Sequence, residues 1–494
     1  MNYDEVLSKN VIMKNGKYIM PLIKLLNNTS VEVHDCDFRA ILHNEENIID
    51  SEENRLIYET CFYINDDLAD KEQNSELSLF STICSNFYRV LAGDNSSSIL
   101  LENCHLSDCI NDAINIKNVK NLMMKNNIIA NCNYGIKVHY DYTNCNNLNS
   151  VIKLFENEIT QNNKIGINIS SFNNMSNVIN FNFDFKFKAQ LNVEIRKNKL
   201  YQNKQNAISI ENIFADIINI SENEIKYNID AGITLNSIYF NNNFSNKFEF
   251  FNEKSVCKLI NQESSMFLEK NSFKDKFSQL IEKQDFNLIL NKNNVFENKN
   301  NKGMLISNLK NCKLFMDGSM IYKNLTGLEL TNFSKNSIDA VILNCSFHEN
   351  MGDGINLTNS SLNNFLIKNN RFIDNYNYGC TLKLNEYNYS LQNKKEAELK
   401  YNIPFVFLLD CELSGNKNGG IFLKNSYLNI DNCRLKDNGN WAIEIPLETN
   451  KCLIKLINYE NKLNLMMNNP IGSVWGTLAN KKSLCSDKEG CLIL

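Results

Sequence analysis

The run Leu409-Asp410-Cys411-Glu412-Leu413-Ser414-Gly415-Asn416-Lys417-Asn418-Gly419-Gly420-Ile421-Phe422-Leu423 is repeated in outline by Ile430-Asp431-Asn432-Cys433-Arg434-Leu435-Lys436-Asp437-Asn438-Gly439-Asn440-Trp441-Ala442-Ile443-Glu444-Ile445. Aligned on Leu413 and Leu435, 22 residues apart, each has a Cys two before and an Asn three after. Gly420 or Ala442 follows seven after, and then an apolar-x-apolar pair. A fixed period of this size is the mark of a stacked repeat, in which one unit cannot bury its apolar face alone.

The unit recurs along most of the chain. Its apolar anchor is read at Leu106, Ile128, Ile159, Leu200, Ile225, Phe273, Val295, Met320, Phe347, Phe372, Leu413 and Leu435. Asn stands three after nine of these twelve, the exceptions being Cys109, Lys276 and Lys323. Gly or Ala stands near seven after all but the Phe273 unit, which has Leu280. Alternations such as Ile208-x-Ile210 put both side chains on one face of a short strand. Parallel strands stacked coil on coil would continue one apolar core along an axis. Asn at a constant register tolerates left-handed backbone and can stack into a ladder of mutually satisfied amides. Small residues suit the corner into the next strand.

With this N/C-x-Φ-x-x-N-x-x-x-G/A-Φ-x-Φ unit the chain resembles the right-handed parallel β-helices of the pectate-lyase-like superfamily, nearest the intracellular, non-catalytic branch such as the β-helix region of F-box substrate receptors. The fold expected is all-β, a single-stranded solenoid of about 12 or more coils with long insertions on one side. Residues 1–30 are read as an N-terminal cap, 31–445 as the helix, 446–480 as a C-terminal cap and 481–494 as a flexible tail. Four insertions, at 139–150, 170–190, 236–260 and 385–404, follow the strand after the Gly/Ala corner. In a solenoid, insertions at one register line one side, often the binding side. Their aromatics, Phe181, Phe183, Phe185, Phe187, Tyr239, Phe240, Tyr387 and Tyr389, are the candidate face for a protein partner.

Composition narrows the classes. The 494 residues include 90 Asn and are 43% hydrophobic, so this is no disordered polar tract. The net charge of −5, without blocks of like charge, gives no electrostatic footprint for nucleic acid. Proline is absent between Pro21 and Pro404, as central strands require. Sixteen cysteines without a secretory signal at the N-terminus point to reduced, intracellular packing positions. Cys104-His105-x-x-x-Cys109 has no third and fourth ligand nearby, so neither metal nor cofactor is expected.

The sharpest motif is Cys491-Leu492-Ile493-Leu494, which matches the prenylation box, its terminal Leu favouring geranylgeranyl on Cys491. Cys485 would be a second, palmitoyl site, because one lipid chain anchors only marginally. The expected location is therefore the cytoplasmic face of a membrane, or the cytoplasm where the lipid is absent. No apolar run is long enough to span a bilayer.

Catalysis is harder to place. Of the short motifs that the resemblance implies for polygalacturonases only Arg434-Leu435-Lys436 occurs, around a core anchor. Asp112 and Asp353 share a register but lie eight repeats apart, roughly 38 Å at ~4.8 Å per strand. Two carboxylates must approach within about 10 Å to share a glycosidic bond. The histidines at 34, 43, 105, 139 and 348 form no pair in the sequence. The reading is a non-catalytic binding scaffold, with a carbohydrate-active β-helix enzyme as the alternative.

Overall fold

A computed structural model describes residues 13–14, 17–18, 23–26, 29–39, 60–65, 75–95, 98–142, 149–171, 190–240, 286–299, 301–333, 338–360, 364–384, 405–424, 427–446, 453–457, 465–467, 472–475 and 492–493. Every regular element among them is a strand. Contacts divide the chain into two units. The first holds Met1–Ile238, Asn291–Ile306 and Met320–Leu325; the second holds Tyr239–Leu290, Ser307–Ser319 and Thr326–Leu494.

Each coil visits three parallel sheets in turn. In the first unit one coil runs Ser98–Glu102, His105–Ser107 and Ile114–Lys117, in what we call the first, second and third sheets. The next runs Asn121–Lys125, Ile128–Ala130 and Ile136–Tyr140, each strand pairing with its predecessor in parallel. The second unit repeats the plan, for example through Asn364–Lys368, Arg371–Ile373 and Tyr378–Leu384. This is the parallel β-helix expected from the repeat.

Period-two alternation does the sorting. In the third sheet Ile114, Ile136, Ile167, Ile208 and Ile233 align in register and none is exposed. Each such side chain contributes about 1.5–3 kcal/mol on burial. Two columns of asparagine close the corners. Asn162, Asn203, Asn228, Asn298 and Asn324 form one, each Nδ2 donating to the next Oδ1 at 2.9–3.0 Å. Asn127, Asn157, Asn198, Asn223 and Asn293 form the other, at 2.9–3.1 Å. In the second unit Asn350, Asn375, Asn416 and Asn438 repeat the pattern.

Several readings change. The ladder asparagines are not the left-handed residues; their predecessors are, with positive φ at Glu156, Lys197, Gln161, Gln202 and even Tyr227. Asparagine is therefore selected for its amide, which both donates and accepts, rather than for its backbone. The anchors Ile128 and Met320 are one residue out: they are 42% and 46% exposed, while Ile129 and Ile321 point inward. Asn131 accordingly sits outside the ladder, and the Cys132 N–H donates to Asn162 in its place. The Phe273 unit lies outside the described residues. Among the described strands, Glu224–Lys226 pairs directly with Asn294–Phe296, and Asn223 Nδ2 donates to Asn293 Oδ1. Coils also continue beyond 31–445. Ile23–Leu26 pairs with Thr60–Asn65, and Leu453–Ile457, Leu465–Met467 and Gly472–Trp475 extend the three sheets.

The eleven described cysteines are thiols rather than disulfides, and all but Cys36 are buried. Cys104 shows why the type fits a ladder position. Its N–H donates to Asn127 Oδ1 at 2.8 Å and its thiol to the Leu79 carbonyl at 3.3 Å, so a single S–H replaces the amide.

Candidate functional site

The outer face of the third sheet in the second unit gathers the densest set of chemistry-bearing side chains. Alternation puts Ile355, Cys380, Ile421 and Ile443 inside and Asn356, Thr381, Phe422 and Glu444 outside, the strands aligned in register. Asp353 stands just before the Gly354 corner, and Tyr378 occupies the equivalent place one coil on.

Asp353 is buried and its Oδ1 accepts the Tyr378 N–H at 3.1 Å. Burial raises its pKa, opposed by that N–H, by a hydrogen bond from the Thr381 side chain and by nearby Lys383. The Tyr378 ring lies across Gly419, where an added Cβ would come within 2.9 Å of it. Lying there, the ring reaches past one strand to donate its hydroxyl to Glu444 Oε2. Burial first, and Glu444 second, hold the phenol well above its ordinary pKa, so it stays protonated. Lys383 stands 4.9 Å over the Phe422 ring, and Lys417 3.8 Å over Tyr376, which is 57% exposed. In the midst of these, Asn356 Oδ1, next in register to Thr381, is buried without a hydrogen-bond partner.

Asp112, in the first unit, has the same register but another environment. Its Oδ2 accepts Asn115 Nδ2 at 2.7 Å and lies 3.6 Å from Arg89 Nε, both side chains being almost inaccessible. Burial again raises its pKa, and Lys137, Arg89 and Lys164 oppose the rise. His139 does acquire a partner, Ser170 Oγ at 2.9 Å from Nδ1. Burial and the adjacent Lys137 and Lys117 lower its pKa to about 4.

The aromatic candidates fare unevenly. Phe181, Phe183, Phe185, Phe187, Tyr387 and Tyr389 lie outside the described residues. Phe240 is buried, and Tyr239 accepts a hydrogen bond from Lys310 Nζ at 3.0 Å. Cys485 and Cys491 also lie outside the described residues, whereas Leu492–Ile493 pairs antiparallel with Ile454 and Lys455. No group of three or more metal-ligating side chains occurs among the described residues, and no described helix is long and apolar enough to cross a membrane. Sequence reading passed over Asn356, Tyr378, Thr381 and Lys383 because its pattern was tuned to inward positions. Outward ones carry no period.

The family model described as right handed beta helix region matches residues 252–395. It supports the right-handed β-helix and leaves open the finer likeness to F-box receptors. No curated protein matches the chain. Among solved structures the chain is similar to the periplasmic alginate epimerase AlgG at 12% identity, covering 84% of this chain and 74% of that one, with a TM-score of 0.39. It is also similar to the A-module of the Azotobacter vinelandii mannuronan C-5 epimerase AlgE6, at 11% identity, 91% and 90% coverage and a TM-score of 0.31. A third is the catalytic domain of a GH87 alpha-1,3-glucanase, at 9% identity, 91% and 62% coverage and a TM-score of 0.28.

Proposed function

We propose that the protein is a glycan-binding β-helix that takes an acidic, uronate-bearing chain on the outer face of its third sheet in the second unit. The observation that carries this reading is the buried, unsatisfied Asn356 Oδ1, set among Asp353, Tyr378, Thr381, Lys383 and Phe422. A buried polar atom without a partner costs about 1–3 kcal/mol, which a ligand hydroxyl would recover. Lys383 and Lys417 stand over rings, the arrangement a carboxylated sugar ring matches.

Turnover is not part of the proposal. Proton abstraction needs a base, and Tyr378 keeps its proton turned towards Glu444. Asp353 is buried and spends one oxygen on a backbone N–H. Titration with polygalacturonate and polymannuronate at low salt should give saturable binding that weakens with salt. Lys383→Ala/Lys417→Ala should bind about tenfold more weakly, the loss of roughly 1.4 kcal/mol. No unsaturated or epimerised product should accumulate. Absence of binding to any polyuronate, or equal binding by the double variant, would sink the reading.

A further inference from the structure

The second sheet of the first unit presents a different outer surface. Glu158, Lys199 and Glu224 align in register across three coils, two places before Thr160, Tyr201 and Lys226. Between them lies a depression of about 310 Å³, walled by Tyr201 and by Tyr227, which is 40% exposed. That volume is at the lower end for small-molecule sites, about 300–1,000 Å³.

The polar groups around it are half used. Tyr201 donates its hydroxyl to Glu158 Oε1, and Lys226 Nζ donates to Glu224 Oε1 at 2.5 Å. Gln202 Oε1 accepts Gln161 Nε2 at 3.3 Å. The remaining Glu158 and Glu224 carboxylate oxygens, Lys199 Nζ and Gln202 Nε2 add two acceptors and two donors to its lining. Lys226 is held 5.7–5.9 Å from the Tyr201, Tyr227 and Phe296 ring centres, so its charge is fixed within the surface.

Two carboxylates and two ammoniums leave the depression without net charge. A cation or an anion entering it would meet a like charge as close as its counter-charge. A hydroxyl both donates and accepts, and so matches alternating acceptors and donors, while ring C–H faces match a tyrosine wall. We propose that this depression binds one pyranose unit of a neutral oligosaccharide. The proposal is independent of the acidic-glycan reading, which concerns other residues of another unit.

The test titrates cellohexaose, maltohexaose and mannohexaose into the full chain, followed by saturation-transfer NMR and calorimetry. At least one should bind, and Tyr227→Ala should weaken it tenfold or more. Lys199→Ala, an exposed change that leaves the core untouched, should weaken it severalfold. Both variants should keep the wild-type affinity for polyuronate, and Lys383→Ala/Lys417→Ala should keep the wild-type affinity for the neutral hexaose. No binding by any hexaose overturns the proposal, as does wild-type binding by Tyr227→Ala and Lys199→Ala. A polyuronate affinity lost with Tyr227→Ala overturns it too, since the site would then be acidic-selective.

Discussion

Asp112 and Asp353 hold one register in two units, each just before a small corner residue, Ala113 or Gly354. Both are buried carboxylates whose pKa burial raises. Their neighbours differ. Asp112 faces Arg89, itself almost inaccessible, at 3.6 Å, a charge pair without a hydrogen bond, since Arg89 Nε and Nη1 and Asp112 Oδ1 have no hydrogen-bond partner. Asp353 has no such buried cation; the Tyr378 N–H and the Thr381 side chain hold it, and Lys383, standing over the Phe422 ring, lies nearby. One repeat position thus yields an internal ion pair in one unit and a candidate ligand surface in the other. The repeat dictates where a carboxylate sits, and the residues one coil away decide what it can do.

The largest effect should come from breaking the closed pair. Arg89→Met takes away the buried counter-charge of Asp112 and leaves it only Lys137 and Lys164, and losing one partner of a buried pair costs about 3–5 kcal/mol. Denaturant unfolding should show the midpoint falling sharply. Arg89→Met/Asp112→Asn should recover most of it, because the stranded charge is gone. If the single variant unfolds like wild type, Arg89 is not holding Asp112 and the contrast with Asp353 collapses.

On the open side the corresponding probe is Gly419→Ala. The added Cβ would sit 2.9 Å from both the Tyr378 ring and the Trp441 carbonyl oxygen. Carbonyl and ring cannot both give way, so Tyr378 must lift and release Glu444. Overpacking of this kind costs about 1–3 kcal/mol. Thermal unfolding should register that loss, and polyuronate binding should weaken in parallel. A stable variant with unchanged binding would mean that the posture of Tyr378 is irrelevant to the surface.

The contrast also marks how far sequence carries. Inward positions were legible because burial and stacking repeat them: Leu106, Ile159, Leu200, Leu413 and Leu435 all point into the core as read. Where two apolar residues adjoin, as at Ile128-Ile129 and Met320-Ile321, hydropathy has no preference and the reading slipped by one. Left-handed corners escaped for another reason. Glu156, Lys197 and Tyr227 adopt positive φ because the stacked coils impose it, against intrinsic preference. The candidate surface was least legible. Tyr378 and Glu444 lie 66 residues apart and meet only because Gly419 leaves the space between them open. Asp353 was visible as an acidic residue at a corner, but neither Asn356 nor Thr381 stands out in so polar a chain.

The smallest expected effect is a pH slope, and it isolates the Asp353 carboxylate without altering packing. For Asp353 the folded pKa is raised above the ordinary value of 3.8, so the native state binds more protons than the unfolded chain in between. Stability from this group is complete below pH 3.8 and is lost as pH rises through the folded pKa. His139 acts in the opposite direction. Its pKa is lowered from 6.5 to about 4, so its contribution is complete above pH 6.5 and is lost as pH falls towards 4. The two slopes overlap, and wild-type data alone cannot divide them. The difference between wild type and Asp353→Asn isolates the carboxylate, since His139 is common to both. That difference should move in favour of the Asn variant as pH rises from 4 towards neutrality, and level off beyond. An amide can still accept the Tyr378 N–H, so the variant should fold normally and match or exceed wild-type stability at pH 7. Denaturant unfolding of both proteins at intervals from pH 4 to pH 8 gives the curve. A flat difference would mean that Asp353 ionises as freely as a solvent carboxylate. The site would then be wetter and more open than its burial indicates.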